Sequence, residues 1–138
     1  MIHEISDQIK HGVGIDYDSR MINVANRIRA YRKSPNTDFF VFNLEDEPLD
    51  MIRDFLPEGK VDVVFLLSVC MWFKNWKDVV KFAFDISDAV LFESNGKVEQ
   101  QNEQIAYLNE LYSKVELLAA TSEDDAGQKK RKLLICYK

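Results

Sequence analysis

The sequence predicts an α/β fold, a mostly parallel sheet whose last strand runs antiparallel. Three observations predict it. Short apolar, β-branched runs alternate with stretches whose apolar residues recur at helical spacing. The run VDVVFLLS at 61–68 is apolar at nearly every position, as a parallel strand covered on both faces must be. The chain then closes on two runs, 115–121 and 132–137, joined by an acidic loop that contains Gly127, which reads as an antiparallel pair.

The elements follow in order. Residues 2–10 are weakly amphipathic through Ile2, Ile5 and Ile9 and predict one short helix. Residues 12–17 predict a strand. Ser19 is then placed as an N-cap, and Met21, Val24, Ala25 and Ile28 recur at helical spacing. Ser34-Pro35-Asn36 ends that helix, because proline disfavours helix in the residue before it. FFVFN at 39–43 predicts a second strand, and 49–56 a helical turn or two closed by Pro57 and Gly59. After the strand at 61–68 comes a helix over 76–86, with Val79, Val80, Ala83 and Phe84 on one side. AVLFE at 89–93 is a fourth strand stopped by Ser94-Asn95-Gly96. A polar-faced helix over 98–112 follows, its apolar stripe being Ile105, Leu108, Leu111 and Tyr112.

Composition narrows the class. The chain has 138 residues, 46% hydrophobic and 30% charged, which suits one domain spanning 1–138. Its longest apolar run, 61–73, is broken by Asp62 and Ser68 and is too short to span a bilayer. The opening MIHEISDQIKHG carries two acids in seven residues and is not a signal peptide, so a cytoplasmic protein is expected. Cys70 and Cys136 have neither metal-type spacing nor a disulfide pattern and are read as reduced thiols, with no metal site. The net charge of −5 argues against nucleic acid as a partner. The basic cluster Lys129-Lys130-Arg131-Lys132 stands across Gly127 from Glu123-Asp124-Asp125 and reads as a hairpin tip with opposing charges rather than a nucleic-acid patch.

In open α/β sheets ligands sit beyond the carboxyl ends of the strands. The residues to watch are therefore Asp16-Tyr17, Asn43-Leu44-Glu45, Ser68-Val69-Cys70 and Glu93-Ser94-Asn95. An acid at a strand end can accept hydrogen bonds from both hydroxyls of a ribose, and Asp16 holds that position. The competing reading is a turn or helix-capping residue, a role for which Asp18 also competes. His3 and His11 lie far in sequence from Cys70, which sets a nucleophilic triad aside, and His3 is read as a solvated helix residue. Trp72 and Trp76 read first as packing residues.

The stretch VGIDYDSRMINVANR resembles the second strand and following helix of Rossmann-like, S-adenosylmethionine-dependent methyltransferases. FVFNLEDEPL is similar to that family's third strand and acidic turn. VDVVFLLSVCMWFKNW is similar to the fourth strand and the loop beyond it, and AVLFESNGK to the fifth. The closing pair resembles its antiparallel sixth and seventh strands. The resemblance covers the chain from Gly12 on. It implies a cofactor, S-adenosyl-L-methionine, with Asp16 on the ribose hydroxyls and Tyr17 and Met21 along the adenine face. Asn43 falls where many members place an Asp that receives the adenine amino group, and Leu44 would offer its N–H to the ring. Ser68 and Val69 would lie near the methionine part, with Cys70 and Trp72 towards the methyl acceptor.

Two departures stand beside these implications. The family's Gly-rich loop has no match, since the glycines are 12, 14, 59, 96 and 127, and none lies in a strand–loop–helix unit of that kind. The chain is therefore expected to be N-terminally truncated, starting one strand and one loop late, a deficit of roughly 30 residues. The family order is three, two, one, four, five, seven, six, so strands two and four would face a gap. Either they pair directly or another chain covers them, and a homodimer through the unpaired sheet centre is expected. SVCMWF stands where the nucleic-acid amine methyltransferases carry an Asn-Pro-Pro-Tyr-like turn, which disfavours such substrates. The function implied is methyl transfer to an unknown acceptor, or the same fold kept without activity in a truncated chain. The alternative is a non-catalytic α/β binding or assembly module that retains the fold.

Overall fold

The computed structural model describes residues 2–121 and 130–138. The chain divides into two compact units, Met1–Pro48 and Leu49–Lys138.

In the first unit, strand β1 (Gly12–Asp16) and strand β2 (Thr37–Val41) pair in parallel, from Gly12 opposite Thr37 to Asp16 opposite Val41. Helix α1 (Ser19–Arg32) connects them. Gly14 has to be glycine, because a Cβ there would stand 2.6 Å from the Phe39 ring on the neighbouring strand. The helix N-cap is Asp18 rather than Ser19: its carboxylate accepts the Arg20 N–H, and Ser19 is already the first helical residue. The helix ends as expected before Pro35. Lys33 takes a left-handed conformation (φ 54°), and its N–H returns to the Arg29 carbonyl.

The first segment corrects the sequence reading. It forms two separate 3₁₀ turns, Ile2–Glu4 and Ser6–Gln8, instead of one helix. The reason is competition for its carbonyls. The Asn36 amide donates to the carbonyls of Ser6 and Ile9 at 2.8 and 2.9 Å, and the Ser6 hydroxyl donates to the His3 carbonyl. His3 is partly buried, with Nε2 3.1 Å from the Ala25 carbonyl and its ring beside Phe39, so it is not a solvated side chain.

In the second unit, a 3₁₀ turn (Leu49–Phe55) precedes strand β3 (Val61–Leu67), and a shorter one (Cys70–Trp72) follows it. Helix α2 (Trp76–Ile86) runs without a loop into strand β4 (Ser87–Glu93). The Ser87 hydroxyl marks the junction by donating to the Ala83 carbonyl. Helix α3 (Val98–Leu111), strand β5 (Lys114–Ala119) and strand β6 (Leu133–Tyr137) complete the unit. The sheet order is β3-β4-β6-β5. β3 and β4 are parallel, while β6 is antiparallel to both of its neighbours, so β6 alone is reversed. The fold is thus α/β with the reversed last strand that the sequence predicts.

Helix α2 buries Val79, Val80, Ala83 and Ile86, and β4 buries Ala89, Val90 and Phe92. Each large apolar side chain removed from water in this way contributes about 1.5–3 kcal/mol before entropy is counted. Strand β3 corrects a second expectation. Its apolar run is not covered on both faces, because Asp62, Val63 and Phe65 are exposed and Leu66 alone is fully buried. β3 is the edge strand of its sheet, and β1 likewise has β2 as its one ladder partner among the described residues.

Candidate functional site

The first unit gathers five of the proposed site residues at the carboxyl ends of β1 and β2. The Phe42 N–H donates to the Asp16 carbonyl at 2.9 Å, which sets the end of β2 beside the end of β1. Asp16 Oδ1 accepts the Asp18 N–H at 2.8 Å, and Oδ2 makes no hydrogen bond among the described residues. The carboxylate is thus oriented by one oxygen and open at the other. Tyr17 and Met21 beside it are exposed. Asp18, the competing acid, is committed elsewhere. It caps α1 and meets Arg20 at 2.6 Å, and the Arg20 guanidinium with the backbone N–H holds its carboxyl down at about 2.

Asn43 is more occupied than a cofactor-binding amide needs to be. Its Oδ1 accepts the Glu45 N–H at 3.0 Å, its Nδ2 donates to Asp46, and its own N–H donates to Glu47. One lone pair of Oδ1 is left for a further donor. Leu44 beside it is half-buried.

The second unit holds the other four residues just past β3. Ser68 sits in the left-handed region (φ 57°), unusual without glycine, and four contacts over-determine it. Its N–H donates to the Glu93 carbonyl at 3.2 Å, and its hydroxyl donates to the Glu93 carboxylate. That hydroxyl accepts from Arg131 at 2.6 Å, and the Ser68 carbonyl accepts from the Asn95 amide. Arg131 also lies 3.4 Å from the Glu93 carboxylate. Val69 is half-buried. Cys70 is 1% exposed, and burial pushes its thiol up to about 12, so in this structure it is a packed, protonated side chain. Trp72 is exposed.

Sequence reasoning missed the network that fixes this turn. Asn95, 1% exposed, holds the Ser68 carbonyl with its Nδ2 and the Met71 N–H with its Oδ1, at 3.0 Å for the latter. The Gln104 amide then satisfies both backbone groups of Asn95, at 3.1 Å each. Ser94 donates to Gln101 at 2.8 Å and accepts the Lys132 N–H at 2.9 Å. A signal for this existed. Stepping back from Leu108 by four and seven residues gives Gln104 and Gln101, two amides on the face that the apolar stripe buries. Arg131, from the basic cluster, is buried as well. Residues 122–129, the rest of that tip, lie outside the described residues.

Among the described residues no group of three His, Cys, Asp or Glu side chains is placed to hold a metal ion. Nor is any of their helices long and apolar enough to cross a membrane.

No family model matches the sequence, and no curated protein matches it. Solved structures do match in fold. WbdD, a bifunctional kinase–methyltransferase, aligns over 97% of this chain and 32% of its own, at 17% identity and a TM-score of 0.73. The N-terminal domain of EvdMO1, crystallised with SAH bound, aligns over 91% of this chain and 63% of its own, at 10% identity and a TM-score of 0.68. An rRNA methylase from Streptococcus thermophilus aligns over 99% of this chain and 78% of its own, at 8% identity and a TM-score of 0.69. The chain thus spans about a third of WbdD and under two thirds of the EvdMO1 domain. At these identities the likeness shows the fold, and that fold is the Rossmann-like one of S-adenosylmethionine-dependent methyltransferases.

Proposed function

We propose that this chain is a methyltransferase-like protein whose first unit receives the adenosine part of S-adenosyl-L-methionine. The observation that carries the reading is Asp16. At the carboxyl end of β1, its Oδ1 is held by the Asp18 N–H while Oδ2 has no partner among the described residues, an arrangement suited to a vicinal diol. The exposed Tyr17 and Met21 would flank the adenine, and the remaining lone pair of Asn43 Oδ1 would meet its amino group. Leu44 would face the ring edge. Ser68 and Val69 are assigned to the methionine end, Trp72 to the acceptor, and Cys70 to packing behind them. When bound, the cofactor would supply an electrophilic methyl group, and the chain's residues would contribute chiefly by position, since in-line alignment carries most of the rate of such transfers.

A second reading, a non-catalytic binding or assembly module, is favoured by the open edge of β3 with its exposed Val63 and Phe65. There a second copy would be the natural cover. Calorimetry with S-adenosylhomocysteine separates the two. A micromolar signal that Asp16→Ala reduces at least tenfold is the expected result. No heat at millimolar ligand, with a dimer seen by light scattering, would replace the first reading by the second.

A further inference from the structure

Helix α1 buries one large side chain, Ile22, yet its sequence is not that of an ordinary solvated helix. Met21, Val24, Ile28 and Tyr31 are all exposed, from 38% at Ile28 to 89% at Tyr31. Within the helix they are spaced 3, 4 and 3 residues apart, so they form one straight stripe, a second apolar face beside the one that covers β1 and β2. That spacing is the a/d repeat of helix-on-helix packing: Met21 and Ile28 take one position, Val24 and Tyr31 the other. At 1.5 Å per residue the stripe from Met21 to Tyr31 runs about 15 Å, or one and a half heptads.

The residues that flank the stripe choose its occupant. Arg20 and Arg27 stand on one side and Arg32 on the other, and the helix contains no acid, in a chain whose net charge is −5. Arg20 is engaged by Asp18 in front of the helix, which leaves Arg27 and Arg32 as the uncommitted pair. A second copy packed antiparallel would set Arg27 against Arg27. Packed parallel, it would set Arg27 against Arg32. Both arrangements are repulsive, so the helix is ill suited to pair with itself.

We infer that the exposed stripe of α1 is a docking surface for an amphipathic helix of another protein, with apolar residues at its a and d positions and Asp or Glu flanking them. The surface shares Met21 with the proposed adenine face, but Val24, Ile28 and Tyr31 have no part in that reading, and docking on them needs no bound cofactor. Helix-on-helix seating accounts for the regular 4-3 spacing, which a lipid surface would not require. Opposed charges along the rim set the specificity and the salt dependence of the encounter.

The test uses the full chain and two labelled synthetic helices with the same Leu and Ile a/d positions, one with Glu and one with Lys at the flanks. Fluorescence anisotropy should show micromolar binding of the Glu-flanked helix, at least tenfold tighter than the Lys-flanked one and weakened by salt. Val24→Ser combined with Ile28→Ser should reduce that affinity at least tenfold, with the far-ultraviolet circular dichroism unchanged because both side chains are already exposed. Arg27→Glu combined with Arg32→Glu should reverse the preference between the two helices, and it decides the matter if the apolar variant fails to fold. Equal affinity for both helices would overturn the proposal. So would binding that survives Val24→Ser/Ile28→Ser, a dimer that those substitutions dissociate, or binding only to vesicles of phosphatidylcholine and phosphatidylserine.

Discussion

The end of β1 in the first unit and the ends of β3 and β4 in the second are treated in opposite ways. At the end of β1, Asp16 keeps an open carboxylate oxygen, and Tyr17 and Met21 stand in solvent. At the ends of β3 and β4, by contrast, Ser68, Glu93, Ser94, Asn95, Gln101, Gln104 and Arg131 spend their polar groups on one another. The cores differ in the same direction. Of the seventeen buried apolar side chains among the described residues, Ile22 and Phe42 belong to the first unit and the other fifteen to the second. Open valences suit recognition, and satisfied ones suit rigidity, because a buried polar group without a partner costs more than a made bond returns. On the reading proposed above, the end of β1 is the part suited to a ligand, and the network past β3 is the part that holds a turn still.

The largest effect tests the core. Phe92→Ala removes a fully buried ring from β4 and is expected to cost about 3–5 kcal/mol in urea unfolding. A cost under about 1 kcal/mol would break the claim that the second unit concentrates the stability.

The next test sets two asparagines against each other. Asn95→Ala strands the Ser68 carbonyl and the Met71 N–H and is expected to cost about 1–3 kcal/mol, with faster hydrogen exchange at residues 68–71. Asn43→Ala breaks bonds to exposed groups and should change stability by about 0.5 kcal/mol or less. Equal costs would erase the contrast between the two strand ends.

The smallest effect lies at the start of α1. Asp18 should titrate near 2 rather than at its ordinary 3.8, followed by its carboxyl carbon shift, and Arg20→Ala should return it towards 3.8. Because the folded value is the lower one, its contribution is complete above 3.8 and is lost as the pH falls through about 2. A midpoint of 3.8 in the unaltered protein would remove Asp18 as the committed acid and reopen its competition with Asp16.

Much of this architecture was legible in the residues. Local patterns suffice where a single element decides the outcome. The α2 stripe of Val79, Val80 and Ala83, the stop at Pro35 and the reversed final strand all follow from side-chain periodicity and backbone restriction within a few positions. The order of motifs also led to the fold that the solved structures share. What could not be read locally depended on partners distant in sequence. Asn36 splits the first segment by taking carbonyls some thirty residues away, and a helical period carries no trace of that competition. The run at 61–68 looked like a strand covered on both faces, yet whether a strand lies at an edge depends on which other strands pair with it. Likewise, Arg131 reaches Ser68 across 63 positions and Asn95 reaches it across 27, so the turn after β3 was decided by the tertiary structure. By itself the sequence determined the strands and long helices and put an acid at the end of β1, because these rest on short-range backbone chemistry. Only the folded chain decided which polar groups are spent on each other, because burial is what obliges them to find partners.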